Sequence, residues 1–208
     1  MLNKIRDYLD FSGLQYRSPD KAGAEREKML AFRHKGQEAR KAFTELAKAF
    51  QASHPEWQLQ QTSQWMNQAQ RLRPHFWVYL QRDGQVTEPM MALRLYGTST
   101  DFGISLEVSF IERKKDEQTL GKQTKVLDIP TTVKGIYYLT YSNGQSQRWE
   151  ANEEKRRTLR EKVRSQEVRK VLVKVDVPMT ENSSEEEIVE GLLKSYSKIL
   201  PYYLATRK

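Results

Sequence analysis

The sequence predicts an α+β fold, with a central, mostly antiparallel sheet, amino-terminal helices and a closing carboxy-terminal helix. Three observations predict it. The stretch 76–112 reads as three consecutive strands. Two segments carry apolar stripes at helical spacing: Phe43, Leu46, Ala47 and Phe50, then Ile188, Leu192, Tyr196, Ile199 and Tyr203. A sheet with one apolar face needs a cover, and those helices supply it.

The strand block comes first in strength. Phe76-Trp77-Val78-Tyr79-Leu80 is a run of β-branched and aromatic residues, and Asp83-Gly84 follows as turn chemistry. Met90 to Tyr96 is a second apolar run, closed by Gly97. Ile104, Leu106, Val108 and Phe110 then alternate with Ser105, Glu107 and Ser109, the period of a half-buried strand.

Before this block, residues 2–11 form a short helix with Leu2, Ile5 and Leu9 on one face, stopped by Ser12-Gly13. Asp20 is the expected N-cap of a long helix from about Lys21 to Ala52, with Gly36 as a candidate break. Trp57 to Met66 is ambiguous: Trp57, Leu59 and Gln61 would share a strand face, and the glutamine-rich run also suits an irregular edge strand. After the block, Lys114 to Lys125 is highly charged and reads as a hairpin tip or surface loop. Gly135 to Tyr141 is a strand. Asn143-Gly144 turns it into a return strand at Gln147-Arg148-Trp149. Asn152 caps a helix to about Ser165, with Glu153 and Glu154 in its first turn. Val171, Val173, Val175 and Val177 alternate as a strand ended by Pro178. Ser184 and Glu187 make a capping box for the last helix.

The 208 residues allow one sizeable core, and no repeat, linker or low-complexity tract divides them. The economical reading is a single α+β domain over 1–208, in which 1–52 is a helical lead-in. Net charge is +8 and the isoelectric point near 9.5, while mean hydropathy is −0.80. That balance suits a polyanion, nucleic acid before a membrane surface. The chain has no cysteine, which removes disulfides, cysteine–zinc sites and thiol catalysis and fits a cytoplasmic protein. The opening residues do not read as a signal peptide, and no apolar run approaches the ~20 residues of a membrane span, so no membrane association is expected.

Common catalytic motifs are missing. His34, His54 and His75 lack metal-ligand spacing, no glycine-rich phosphate loop follows a strand, and Ser99 and Ser109 sit in no nucleophile elbow. No cofactor, metal or catalytic residue is therefore expected. One carboxylate arrangement resembles the metal-dependent nucleases of the PD-(D/E)xK type: Asp101, then Glu112-Arg113-Lys114. The eight-residue run between them spans more than ~20 Å as a strand, too far for one metal.

Two features point toward nucleic acid. Arg156, Arg157, Arg160 and Arg164 cluster on one side of a predicted helix, with Arg148, Arg169, Lys170 and Lys174 in adjoining elements. Guanidinium groups donate paired hydrogen bonds to phosphate. The plain alternative is a solvated helix, in which Glu153 and Glu161 pair with Arg157. Aromatic residues form the second feature. Trp65, Trp77, Tyr96 and Phe102 are the candidates for stacking a base drawn from a duplex, with the polar loop 96–103 at the rim. Core packing beneath helices is the alternative for them. Trp77 and Tyr79 share one strand face and Phe76, Val78 and Leu80 the other, so both faces call for cover.

The layout resembles the amino-terminal modified-cytosine-binding domain of McrB-type restriction enzymes. The echoes are Pro74-His75-Phe76-Trp77-Val78, Gly103-Ile104-Ser105-Leu106 and Leu192-Leu193-Lys194-Ser195-Tyr196, within residues 40–200. The family's serine and glycine pattern before the first strand is replaced by Ser63-Gln64-Trp65-Met66. The resemblance implies DNA binding by base flipping, without catalysis in this chain. In length and opening residues the chain is also similar to small bacterial proteins sometimes labelled glucose-6-phosphate dehydrogenase, an activity that no nucleotide loop here supports. The expectation is a non-catalytic nucleic-acid-binding protein, DNA ahead of RNA, or a subunit that meets a partner protein of a larger system. The alternatives are a metal-dependent nuclease and a protein- or small-ligand-interaction domain.

Overall fold

The computed structural model describes residues 2–82, 85–131, 133–142 and 144–207. Its centre is a seven-stranded sheet in which every neighbouring pair is antiparallel. In chain order the strands are β1 (Gln58–Leu59), β2 (Trp77–Gln81), β3 (Met90–Gly97), β4 (Phe102–Ser109), β5 (Ile136–Ser142), β6 (Gln145–Glu150) and β7 (Lys170–Met179). Across the sheet they run β1-β2-β3-β4-β7-β5-β6. The helices are α1 (Leu2–Leu9), α2 (Arg26–Ala52), α3 (Glu117–Thr124), α4 (Glu153–Arg164) and α5 (Glu185–Ala205). The α+β class and the order of helical start, sheet and closing helix are as the sequence predicts. No described helix is long and apolar enough to cross a membrane.

β4 is the pivot. All eight of its residues are buried, on both faces. Phe102, Ile104, Leu106 and Val108 point to the helical side, where their neighbours in register include Leu95, Leu93 and Met91 on β3 and Val177, Val175 and Val173 on β7. These join one apolar cluster with α2 and α5. On α2, Met29, Phe32, Gly36, Ala39, Phe43, Leu46 and Phe50 repeat at three- and four-residue intervals and form the buried stripe. On α5, Ile188, Leu192, Tyr196, Ile199 and Tyr203 do the same, behind the Ser184–Glu187 capping box that the sequence predicts. The lead-in belongs to this layer: the Tyr8 ring stacks on Phe76 at 4.9 Å and Phe43 approaches it at 5.9 Å.

Five local expectations are corrected. Asp20 makes no capping bond; Pro19–Lys21 and Gly23–Glu25 are 3-10 turns, and α2 begins only at Arg26. Gly23, at φ +53°, stops the chain from entering α2 earlier. Gly36 is no break; it lies inside α2, where a Cβ would come within 2.7 Å of the Trp65 ring. The irregular edge strand expected over Trp57 to Met66 shrinks to the two residues of β1, with Trp57 buried in the core. Lys114 to Lys125 is not a loop but contains α3. Asp116 accepts from the Thr119 backbone N–H at 2.8 Å, and Thr119 Oγ1 accepts from the Asp116 backbone N–H at 2.9 Å. The Gln123 amide then donates to the carbonyls of Val108 and Val171, where β4 and β7 part. Pro178 does not end β7, which continues to Met179. Pairing with β5 stops at Val175, so Pro178 has a strand neighbour on one side only, where proline is tolerated. The turn residues Asp83, Gly84 and Asn143 lie outside the described residues.

Candidate functional site

The face of the sheet turned away from the helices carries the chemistry. Strand alternation sends Trp77 and Tyr79 of β2, Ala92, Arg94 and Tyr96 of β3, Gly103, Ser105, Glu107 and Ser109 of β4, Lys174 and Asp176 of β7, and Tyr137 and Tyr141 of β5 to this side. Small residues occupy its middle. Gly103 cannot be larger, because a Cβ there would lie 2.4 Å from both the Tyr96 hydroxyl and the Val177 carbonyl oxygen. Tyr96 lies over Gly103, and Ala92 and Ser105 are fully buried.

At the centre stands Glu107, with 0% of its surface exposed. Arg94 donates through Nε and Nη2 to Oε1, both at 3.0 Å, and Lys174 Nζ lies 2.9 Å from Oε2. Burial alone would raise the carboxyl pKa, but Arg94 and then Lys174 outweigh it and hold it down at about 2. His75 sits nearby. Burial, reinforced by Arg94 and Lys174, lowers its pKa to about 4, so it is neutral at pH 7. A second ion pair adjoins the first: Asp176 accepts from Arg148 at 2.9 Å and from the Tyr137 hydroxyl at 2.8 Å. Burial and the Asp176 carboxylate raise the Tyr137 pKa and push that of Tyr96 to about 12.

Cations lie over several rings of this face. The guanidinium carbons of Arg73 and Arg94 are 4.7 and 5.2 Å from the Trp77 ring centre. Arg148 is 3.5 Å from that of Tyr137, and Lys170 Nζ is 5.2 Å from Tyr141 and 4.6 Å from Phe110. Beside Trp77 opens a cleft of about 590 Å³, lined by Trp77 and Tyr79, the amides Gln64, Asn67 and Gln68, the guanidiniums of Arg73 and Arg113, the apolar Met66 and Ile111, and the carboxylate Glu112, which is paired with Lys115 and Lys170. Its outer wall follows β4: the Tyr79 hydroxyl donates to the Phe110 carbonyl, and Arg113 reaches Gln68 at 3.4 Å.

The residues singled out in sequence do not converge. Trp65 is buried against Gly36 and Tyr16, and Phe102 is buried on the helical side. Trp77 and Tyr96 share the open face. Arg156, Arg157, Arg160 and Arg164 all lie on α4, which is capped by Asn152 as predicted and drives Leu159 into the core of the helical side. Arg156 is occupied: it donates to the Leu127 carbonyl at 2.6 Å and pairs with Glu153 at 2.5 Å, so Glu153 meets Arg156 rather than Arg157. Arg160 lies 3.4 Å from Asp128. Arg157 and Arg164 are exposed and form no ion pair among the described residues. Arg148, Lys170 and Lys174, expected to extend the α4 patch, belong to the sheet's open face instead. Asp101 and Glu112 lie beyond opposite ends of β4, and Glu112 is paired with Lys115 and Lys170. Among the described residues no group of three or more histidine, aspartate or glutamate side chains converges as a metal site.

The sequence reading passes over Arg94, Asp176 and Arg73, and weighs His75 only as a metal ligand. One signal for two of them was present: an Arg in an apolar run and an Asp in a valine alternation, each in a strand with neighbours on both sides. A comparison with models of known protein families, with curated proteins and with solved structures finds no match.

Proposed function

We propose that this is a nucleic-acid-binding protein that takes an unpaired base into the cleft beside Trp77. The observation that carries the reading is the cleft's lining: a flat aromatic floor, three side-chain amides, and guanidiniums at the rim. A base needs a π surface and groups that both donate and accept hydrogen bonds, and a phosphate needs cations. Trp77 supplies the first, Gln64, Asn67 and Gln68 the second, and Arg73 and Arg113 the third.

The two guanidiniums over Trp77 are held differently. Arg94 is tied to the buried Glu107 by two hydrogen bonds, whereas Arg73 has one, to the Met66 carbonyl at 3.2 Å. Arg73 is the group that gives way. A base entering the cleft takes its place on the indole, and the released guanidinium meets the phosphate. Arg94 stays as the fixed edge of the platform. The reading keeps Trp77 and Tyr96 as stacking candidates and leaves Trp65 and Phe102 as packing residues.

Fluorescence anisotropy with labelled oligonucleotides tests it, at two salt concentrations. Binding that weakens steeply with salt is expected. Trp77→Ala should cost about 1–3 kcal/mol of binding, the worth of one stacked base. Salt-independent binding, or unchanged affinity in Trp77→Ala, would refute the reading.

A further inference from the structure

We infer that the open face of the sheet is a track for one single strand of nucleic acid, running from the Trp77 cleft across β3, β4 and β7 to Tyr137 and Tyr141 on β5. The inference rests on the nucleic-acid reading above and specifies its ligand. The main apolar cluster gathers residues of the helical side, and α2, α4 and α5 pack there. Met90, Phe110, Tyr137 and Leu172 are buried outside that cluster, as a thin apolar floor on the other side. Above the floor stand Trp77 with Arg73 and Arg94 and Tyr141 with Lys170, while Arg148 covers the ring of the floor residue Tyr137. At this end of the sheet one ring and one cation are open to a ligand, Tyr141 being 41% exposed and the Arg148 side chain 62%.

That alternation matches a strand whose bases are free, because stacking on a side chain needs an exposed π face, which a duplex hides. Charge fits as well. The carboxylates of the face are already neutralised: Glu107 by Arg94 and Lys174, Asp176 by Arg148, Glu112 by Lys115 and Lys170. Arg148 uses one of its five N–H donors on Asp176, which leaves others for phosphate. From β2 to β5 is four strand spacings, about 19 Å, enough for on the order of four nucleotides.

Anisotropy with labelled single strands of increasing length, as DNA and as RNA, and with a duplex of the same sequence, reads the outcome. Affinity should rise up to on the order of four nucleotides, and the single strand should bind at least about tenfold tighter than the duplex. Tyr141→Ala and Arg148→Gln should each weaken single-strand binding by at least about fivefold, while Tyr141→Phe keeps the ring and the affinity. Tyr141, near the end of β5, and Arg148, on the edge strand β6, are both exposed, and an unchanged urea midpoint in each variant checks that the fold is kept. A duplex bound as tightly as the single strand overturns the track. So does unchanged affinity in Tyr141→Ala and Arg148→Gln when Trp77→Ala still weakens binding, a result that leaves the cleft standing. If no oligonucleotide binds at low salt, both readings fail together.

Discussion

A carboxylate with no exposed surface in the middle of a seven-stranded sheet persists because two cations meet it there. Removing one partner from such a buried ion pair leaves uncompensated charge. Glu107→Gln strands Arg94 and Lys174 and should destabilise the fold by about 3 kcal/mol, read from urea unfolding. The same cluster sets the acid limit. Glu107 has its pKa lowered from 4.5 to about 2, so its stabilisation is complete above pH 4.5 and is lost as the pH falls toward 2. His75 has its pKa lowered from 6.5 to about 4. Between those values the unfolded chain takes up a proton that the folded chain refuses, so stability falls as the pH drops from 6.5 to 4. Urea midpoints at pH 7.5, 5.5 and 4.5 should show this slope, and His75→Asn should flatten it. A slope unchanged by His75→Asn would assign it elsewhere. None of this was legible residue by residue. Glu107 looked like the polar half of an alternation, and nothing in a strand's period says that its polar side will be sealed by an arginine of the preceding strand and a lysine of β7.

At the scale of elements, the periods and caps were legible wherever a face was simply apolar. The stripes of α2 and α5, the caps at Asn152 and Ser184 and the alternation of β4 and β7 all appear where the sequence puts them. α3 escaped because its helix is stabilised by polar groups: the Asp116–Thr119 box, Thr119 Oγ1 bonded to the Thr87 carbonyl at 2.6 Å, and the buried Gln123 amide. A charged segment with no apolar stripe reads as a loop until its partners are known. Gly36 shows the converse, a breaker residue retained inside a helix for a packing reason. Alanine at an exposed helical site gains about 1 kcal/mol over glycine. At Gly36 the new methyl would strike the Trp65 ring, and overpacking costs about 1–3 kcal/mol. Gly36→Ala should therefore lower stability, by on the order of 1 kcal/mol. In a Trp65→Ala background the same change should raise it. A double-mutant cycle by urea unfolding measures both, and no coupling between the sites would show that the ring does not dictate the glycine.

Over the whole molecule the net charge is +8, and basic groups stand on both sides of the sheet. α4 presents Arg157 and Arg164 to solvent on the helical side, while Arg73, Arg94, Arg148, Lys170 and Lys174 stand over the open face. Composition could announce a polyanion partner but not choose between them, because the choice depends on which way β7 and β6 turn their charges. Salt dependence makes the choice measurable. Each phosphate neutralised on a single strand contributes about −0.7 to the slope of log affinity against log salt. If the open face makes the contacts, the double variant Arg73→Gln/Arg148→Gln should flatten the slope by about 1.4 and weaken binding at low salt. Arg157→Gln/Arg164→Gln removes the same formal charge from the other side, so a purely diffuse attraction to the basic protein would respond equally to both pairs. Direct contact predicts that the α4 pair leaves the slope nearly unchanged. The reverse pattern, with the slope lost in the α4 pair and kept in the sheet pair, would return phosphate binding to the arginine helix and leave the aromatic face to another ligand.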